Sequence, residues 1–189
     1  MRRPNRADAR PIPPLDAASL ERLALRYVER FATTQGKLVD YLKRKIRERG
    51  WEGEPADTVA MAAKMADLGY VDDRAWAEAK ASALGRRGLG AGRVRQALSA
   101  ARVGEADASA VAPAVAKDAV ESALRLAKRK RIGPFALAQA DRPLRQKQLA
   151  TMIRAGHGFA LARAIVDSAP REGDDLDSFT DLMHCSEDE

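Results

Sequence analysis

The fold is decided by the stretch Asp72-Asp-Arg-Ala-Trp-Ala-Glu-Ala-Lys-Ala-Ser-Ala-Leu-Gly-Arg-Arg-Gly-Leu-Gly-Ala-Gly-Arg-Val-Arg-Gln-Ala-Leu98. In this stretch, two helix-forming segments flank a glycine-rich one. Asp72 or Asp73 can accept the first free amides of a helix, and the glycines from residue 85 onward break that helix. The second segment carries arginines beside Val94 and Leu98, which have the spacing of one helix face. The predicted arrangement is a helix, a short turn and a basic helix.

The same plan appears on the N-terminal side of this stretch. Apolar residues from Leu20 to Phe31 recur at the spacing of a helix. Thr34 offers a capping hydroxyl to a second helix, which is predicted to end at Gly50. Pro55 is suited to the first turn of a third helix.

The C-terminal side repeats the plan with less regularity. Pro113 is unfavourable inside a helix, so the third helix of the central unit is expected to be short. Gly133-Pro134 ends a later helix, and Asp141 can cap the one that follows. Gly156 and Gly158 are expected to terminate that helix before a last one begins.

The predicted fold class is all-α, with nine helices in three tandem, helix-turn-helix-like units of three. Units of about 50 residues have marginal cores, so they are expected to stack into an elongated array. The expected domains are a disordered basic tail over residues 1–17, repeats over 18–69, 70–117 and 118–169, and an acidic, disordered tail over 170–189.

The composition favours helices and a basic body. Ala and Leu dominate, aromatic residues make up 5%, and charged residues make up 32% of the chain. The tail from 170 to 189 has eight carboxylates against Arg171, a net charge of −7, so the formal charge of +6 leaves +13 on the remainder. The lone Cys185 excludes an internal disulfide. With no signal-like N-terminus and no long apolar run, we expect a cytoplasmic protein without a membrane partner.

The basic residues fall into three blocks that alternate with acidic segments. Residues 36–50, 85–102 and 125–154 carry net charges of +4, +5 and +8, whereas 51–84 and 103–124 carry −4 and −3. Each block coincides with the second helix of a predicted unit. One basic helix is usually a solvated face, but three in register favour a surface for phosphates or for an acidic protein.

Catalytic or metal-binding residues are not suggested by the sequence, and no cofactor is predicted. The two histidines are His157, in a predicted turn, and His184, in the tail. The glycine-rich stretch Gly85–Gly92 follows a helix instead of a strand, so a permissive turn explains it better than a nucleotide loop. Helix capping explains Asp72-Asp73 more simply than catalysis does. An enzyme is therefore not expected.

Side chains that could read bases are sparse. Gln96 and Gln146 are isolated polar residues on predicted helices. Trp76 lies on an apolar stripe, and Trp51 follows a helix end against which it can pack. Sequence-specific recognition of nucleic acid is not indicated.

Two segments carry a family resemblance. Leu68-Gly-Tyr-Val-Asp-Asp-Arg-Ala-Trp-Ala77 and Arg86-Arg-Gly-Leu-Gly-Ala-Gly-Arg-Val-Arg-Gln-Ala-Leu98 resemble the central repeat of the RecX family, which are bacterial regulators of the RecA recombinase. The segments from Ala24 to Gly50 and from Gly158 to Val166 are similar to the family's first and last repeats. The resemblance covers residues 18–169.

Three positions depart from the family pattern. Trp76 stands where Phe is usual, Arg102 stands where Gly is common, and Gly156 is an extra glycine before Gly158. The acidic tail lies outside the shared pattern, so the resemblance implies nothing about it.

The resemblance implies a curved array that lies in the groove of a RecA filament on single-stranded DNA. It implies inhibition of filament growth, ATP hydrolysis and strand exchange by a monomer without chemistry of its own, with at most weak non-specific DNA binding. The residues expected to contact RecA or DNA are Lys43, Arg44, Lys45, Arg47, Arg86, Arg87, Arg93, Arg95, Lys128, Arg129, Lys130, Arg131, Arg145 and Lys147. A helix-turn-helix transcription regulator is the alternative, and a helical scaffold that binds neither partner is a third possibility.

Overall fold

The protein is described by a computed structural model over residues 13–170, and this part of the chain is all-α. The helices are α1 (Ala17–Val28), α2 (Gln35–Arg49), α3 (Thr58–Asp67), α4 (Asp73–Arg86), α5 (Ala91–Ala100), α6 (Glu105–Lys117), α7 (Ala119–Lys130), α8 (Arg142–Arg154) and α9 (Phe159–Asp167), with a 3-10 turn over Gly133–Phe135. The predicted all-α class and the nine helices are confirmed for these residues. The N-terminal residues 1–12, the acidic residues 171–189 and Cys185 lie outside the described range.

The chain forms two compact units, one ending at Asp73 and one beginning at Arg74. In the first unit, α1, α2 and α3 enclose one hydrophobic cluster. Its fully buried large side chains are Leu15, Leu20, Leu38, Leu42 and Met65. This core has the size expected of a single three-helix bundle, because each helix contributes one apolar stripe.

Leu15 extends the first unit beyond its predicted start. The sequence analysis assigned residues 13–17 to a tail, whereas Leu15 is 0% exposed and α1 begins at Ala17. The Leu15 amide donates to the Gly50 carbonyl at 3.0 Å, and the Glu52 amide donates to the Leu15 carbonyl at 2.8 Å. A short extended segment is therefore anchored beside the end of α2.

Helix starts in the first unit follow the predicted capping chemistry in one case and not in another. Thr34 Oγ1 accepts from the Lys37 amide at 3.2 Å, which confirms the predicted cap of α2. The third helix begins at Thr58 instead of Pro55, because Asp57 Oδ1 accepts from the amides of Val59 and Ala60. A carboxylate cap satisfies two free amides, which proline cannot do.

Asp73 makes a long-range hydrogen bond that the predicted helix cap at Asp72 or Asp73 did not include. Its Oδ1 accepts from the Gln35 amide at 2.8 Å, at the first residue of α2 and 38 positions away along the chain. The side chain is buried, and a buried carboxylate is tolerated where backbone amides bind it. Asp73 therefore fixes the end of the first unit to the start of α2.

The second unit contains two hydrophobic clusters. The cluster under α4, α5 and α6 is built from Ala77, Ala81, Leu84, Val94, Leu98 and Val111. The cluster under α7, α8 and α9 is larger and is centred on Leu124, Met152 and Ile165. Leu89 packs against both clusters. The predicted second and third repeats therefore share one compact unit, and the repeat boundaries stay predictions.

Helix α4 continues through Gly85, which was predicted to break it. The helix ends at Arg86, and a left-handed Gly88 with φ +70° follows. The Gly85 backbone is helical, and a methyl group added there would meet no atom within 4 Å. The break therefore lies two to three residues later than the sequence indicates.

Replacing Gly85 with alanine is expected to stabilise the second unit by about 0.5–1 kcal/mol, because a helical glycine loses more backbone entropy on folding. Urea unfolding followed by circular dichroism measures the change. The control is Gly69→Ala, where φ is +78°, and where backbone strain is expected to lower stability instead. A lower unfolding midpoint for Gly85→Ala would contradict this assignment.

Helix α6 is longer than expected but thinly packed. It spans 13 residues with Pro113 inside it, and Val111 is its one buried side chain. A cavity of about 320 Å³ reaches from α6 toward Ser122, and another of about 410 Å³ lies between α5 and α6. The exposed position of Pro113 places the lost backbone hydrogen bond on the solvent side, which explains how the helix tolerates it.

The last three helices follow the predicted punctuation in part. Helix α7 ends at Lys130, before Gly133, and Gly158 caps the start of α9 instead of ending α8. Asp141 Oδ1 accepts from the Leu144 amide at 2.8 Å and caps α8 as predicted. Gly133 has φ +57°, and a Cβ there would lie 1.9 Å from the Ile165 carbonyl oxygen.

Within residues 13–170, no helix combines the length and the apolar composition that a membrane crossing requires.

Candidate functional site

The basic residues of α2 differ in how far their charge is already compensated. Lys45 Nζ lies 2.6 Å and Arg44 Nε lies 3.6 Å from the carboxylate of Glu48. The hydrogen bond from Lys45 lowers the pKa of Glu48 and keeps it ionised. Lys43 and Arg47 are exposed, four residues apart on one helix face, and form no hydrogen bond or ion pair within the described chain. These two are the α2 cations best placed to meet an external anion.

Most of the other predicted contact residues lie at helix ends and not on second helices. Arg86 is the last residue of α4 and Arg87 follows it. Lys128, Arg129 and Lys130 form the last turn of α7, and Arg131 caps it. The expectation that each basic block lies on the middle helix of a unit is therefore wrong for these six residues. Cations are favoured at such C-terminal ends because the helix dipole is negative there.

The ends of α4 and α7 meet in the second unit. The Arg129 guanidinium donates to the Arg87 carbonyl at 3.0 Å. Gly88 packs so closely on α7 that a Cβ there would lie 2.9 Å from the Leu126 amide nitrogen. Six cations lie at these two helix ends, and we call them the junction patch: Arg86, Arg87, Lys128, Arg129, Lys130 and Arg131.

The junction patch concentrates positive charge on exposed side chains. All six side chains are exposed, and those of Arg87, Lys130 and Arg131 form no hydrogen bond or ion pair within the described range. Arg131 adopts a left-handed φ of +53°, an unfavourable conformation for a residue with a side chain. Like charges held together repel each other, and an anionic ligand relieves that repulsion. The patch therefore has the electrostatics of an anion-binding surface.

The middle helices of the second unit contribute fewer free cations than predicted. On α5, the Arg93 Nε donates to the Arg154 carbonyl at 2.8 Å, and its Nη1 donates to Gln96 Oε1 at 2.7 Å. Arg93 therefore stabilises the packing of α5 against the end of α8. Arg95 is exposed without a side-chain partner among residues 13–170, whereas on α8 Arg145 is half-buried and Lys147 is exposed.

Glycines hold the start of α5 against the turn between α8 and α9. The Gly90 amide donates to the Ala155 carbonyl and the Gly92 amide donates to the Gly156 carbonyl, both at 2.9 Å. A Cβ on Gly90 would lie 2.5 Å from the Gly156 oxygen, and one on Gly156 would lie 2.4 Å from the Arg93 amide nitrogen. We call Gly90, Gly92 and Gly156 the glycine joint. The predicted permissive turn is thus also a close backbone contact.

His157 stabilises the same joint from inside. It is 5% exposed, and its Nε2 lies 3.1 Å from the Gly88 carbonyl oxygen. Because a carbonyl can only accept, Nε2 carries the proton of the neutral ring. Burial lowers the pKa of His157 below its ordinary 6.5 and outweighs the Gly88 hydrogen bond, which acts in the opposite direction. This role of His157 could not be predicted from the sequence, because its partner is 69 residues away.

The second unit is expected to lose stability as the pH falls below 6.5. The folded protein holds His157 neutral, whereas the unfolded chain takes up a proton near pH 6.5. The stabilisation is therefore complete above pH 6.5 and is lost as the pH falls through the lowered pKa. Urea midpoints between pH 7.5 and 5.5, above the range of most carboxylates, measure the slope. His157→Gln should flatten it, and an equal slope in that variant would contradict the assignment.

Base-reading and metal-binding groups are not assembled in the described chain. Gln96 is engaged by Arg93, and Gln146 is an isolated exposed residue. Trp51 and Trp76 are half-buried against the hydrophobic clusters, where the Trp51 Nε1 donates to the Glu54 carbonyl. Across residues 13–170 there is no group of three or more His, Cys, Asp or Glu that could hold a metal ion.

A comparison with known proteins identifies the family. No protein-family model matches the chain. The chain is 34% identical over 160 residues to the regulatory protein RecX of Myxococcus xanthus, an alignment that covers 80% of this chain and 86% of that protein. The chain belongs to the RecX family.

Solved RecX structures have the same fold. The crystal structure of RecX from Lactobacillus salivarius superimposes with a TM-score of 0.57 at 16% identity, covering 79% of this chain and 93% of that one. A second crystal structure of regulatory protein RecX gives a TM-score of 0.56 at 23% identity, covering 80% and 73%. At these identities the likeness concerns the fold alone.

The RecX resemblance rests on residues that build the candidate site. Within Arg86–Leu98, Arg86 and Arg87 belong to the junction patch, and Gly90 and Gly92 belong to the glycine joint. Arg102, which stands where the RecX pattern has glycine, adopts a left-handed φ of +54°. The backbone at this position is therefore of the kind that favours glycine, even though the residue is different.

Proposed function

We propose that this RecX-family protein regulates RecA by binding the RecA filament on single-stranded DNA. Bound there, it inhibits filament growth, ATP hydrolysis and strand exchange without catalysing a reaction. The family supports the regulatory role. The observation that carries the proposal is the junction patch, where six exposed cations lie at two helix ends that meet.

A surface of this kind suits an anionic polymer. Phosphate contacts position a protein on nucleic acid without reading its sequence, and acidic protein surfaces attract the same cations. A RecA–DNA filament offers both along its length. Lys43 and Arg47 on α2 supply a second set of cations, and two sets that bind one polymer strengthen each other through effective concentration. The proposed active form is a cytoplasmic monomer.

The alternative is a helix-turn-helix transcription regulator that reads duplex DNA through α5. The contacts of α5 count against it, since the Arg93 guanidinium donates both to Gln96 and to the Arg154 carbonyl. Such a regulator needs free polar side chains toward the base edges.

Fluorescence anisotropy with three ligands tests the proposal. The ligands are labelled single-stranded DNA coated with RecA, a defined duplex and a duplex of random sequence, all at one salt concentration. The proposal expects binding to the filament to be at least about 10-fold tighter than to either duplex, and the duplexes to be equivalent. Preference for one duplex sequence over the filament would instead support the transcription regulator.

A further inference from the structure

A basic groove with an apolar floor runs along α8 and α9. It has a volume of about 400 Å³, and its lining residues include three arginines, Arg142, Arg145 and Arg163, and the apolar pair Leu149 and Val166. Asp167 also lines the groove and pairs with Arg163 at 3.3 Å. Three positive charges against one negative leave the groove at +2. The groove thus has room and charge for an acidic, apolar ligand.

One segment of the same chain has the complementary composition. The sequence Asp174-Asp-Leu-Asp-Ser-Phe-Thr-Asp-Leu-Met183 carries four carboxylates and no basic residue. Leu176, Phe179 and Leu182 recur at intervals of three, so one face of a helical turn would be apolar and its flanks acidic. This segment lies outside the described residues, and its charge and apolar pattern match the groove.

The connection between the two is short. Helix α9 ends at Asp167, itself a groove residue, and the described chain ends at Pro170. The acidic segment begins four residues later, since 174 − 170 = 4. Four residues span at most about 14 Å, so the tether holds the segment beside the groove. A short tether gives an effective concentration on the order of millimolar, enough for a weak contact to form.

We propose that residues 174–183 bind the α8–α9 groove and cover Arg145. The carboxylates meet the three arginines, and the apolar residues pack on the accessible part of Leu149. Because Arg145 belongs to the proposed RecA and DNA contacts, the bound segment competes with the anionic partner and tempers its binding. The competition rests on the proposed function, whereas the intrachain contact does not.

Paramagnetic relaxation in the full-length protein tests the contact without RecA or DNA. Cys185, the only cysteine, accepts a spin label two residues beyond the segment. The label is expected to broaden the amide signals of residues 145–149 and 163–167. The broadening should disappear in the Leu176→Ser/Phe179→Ser/Leu182→Ser variant, which keeps every charge. Equal broadening in that variant, or no broadening in the unaltered chain, would overturn the proposal.

Two further measurements test whether a second copy of the chain occupies the groove and whether the acidic segment weakens DNA binding. In the first, spin-labelled protein of natural isotope content is mixed with nitrogen-15 protein that carries no spin label. The amide signals of the nitrogen-15 protein should stay sharp. Broadening of these signals would assign the groove to a second copy of the chain and overturn the proposal. Deleting residues 171–189 should tighten binding to single-stranded DNA about 3- to 10-fold at low salt. If the broadening is present but the deletion leaves the affinity for single-stranded DNA unchanged, the proposed competition is wrong. If the protein does not bind RecA at all, the proposed function is wrong and the contact between the segment and the groove still stands.

Discussion

Replacing Gly156 with alanine is expected to destabilise the second unit by about 2–6 kcal/mol, the sum of backbone strain and a steric clash. Gly156 has φ +91°, which disfavours any residue with a side chain, and its added Cβ would lie 2.4 Å from the Arg93 amide nitrogen. The atom it meets belongs to the backbone of α5 and cannot rotate away. Relief requires α5 to move away from the α8–α9 turn, which breaks the hydrogen bonds of the glycine joint.

Tryptophan fluorescence during urea unfolding measures this change in the second unit. The experiment uses a Trp51→Phe background, so that the signal comes from Trp76, which lies on α4 in the unit that contains the joint. Gly158→Ala is the matched control, because Gly158 has φ −63° and an added Cβ there meets nothing within 4 Å. It should cost at most about 1 kcal/mol as a helix cap. Equal urea midpoints for Gly156→Ala and Gly158→Ala would contradict the close packing proposed for the glycine joint.

Reversing three charges of the junction patch is expected to weaken binding to the RecA filament on the order of 100-fold or more. The variant Arg87→Glu/Lys130→Glu/Arg131→Glu alters cations whose side chains have no partner within residues 13–170, so the fold should be unaffected. Each reversal removes one favourable contact with an anion and adds one repulsion, each worth up to about 1 kcal/mol. The slope of log Kd against the logarithm of the salt concentration should decrease by about 2, or roughly 0.7 per lost phosphate contact.

A second triple reversal separates the patch from the net charge. Arg22→Glu/Arg26→Glu/Lys117→Glu changes the charge of the chain equally, and these three exposed residues lie outside the proposed contacts. Anisotropy at three salt concentrations compares the two variants, and circular dichroism checks that both retain their helices. If the control variant loses as much affinity, binding depends on overall charge and the patch has no particular role.

Much of the fold could be predicted because its determinants are local in sequence. Apolar periodicity gave nine helices, and the capping side chains of Thr34 and Asp141 bind amides three residues away. The missed features are non-local. Asp73 binds the amide of Gln35 across 38 residues, and Leu15 is held by the backbone after α2. No periodicity in the sequence reports contacts of this kind.

The candidate site shows the same division. Charge counts located the basic blocks, but the junction patch exists because α4 and α7 end at the same place. That meeting depends on the bond from Arg129 to the Arg87 carbonyl, 42 residues apart. Arg93, which was predicted to contact a partner, donates to the Arg154 carbonyl within the chain. Composition therefore predicts how many cations there are, and packing decides which remain available.

The glycine joint could have been suspected from its composition, but its purpose could not. Four glycines between Gly85 and Gly92 indicate a turn, and they equally suit close backbone packing. The partner glycine, Gly156, departs from the family pattern as an extra glycine before Gly158. In the structure it is the position against which Gly90 and Gly92 pack. The departure is thus part of the packing between α5 and the α8–α9 turn.

The rate of ATP hydrolysis by RecA on single-stranded DNA tests the central claim most directly. The protein is titrated into preformed filaments alongside the junction-patch variant and its charge-matched control. The account predicts that the unaltered protein and the control inhibit hydrolysis at or below a stoichiometric ratio to RecA, and that the junction-patch variant inhibits only at much higher ratios. An unchanged rate of hydrolysis with the unaltered protein at a stoichiometric ratio would contradict it.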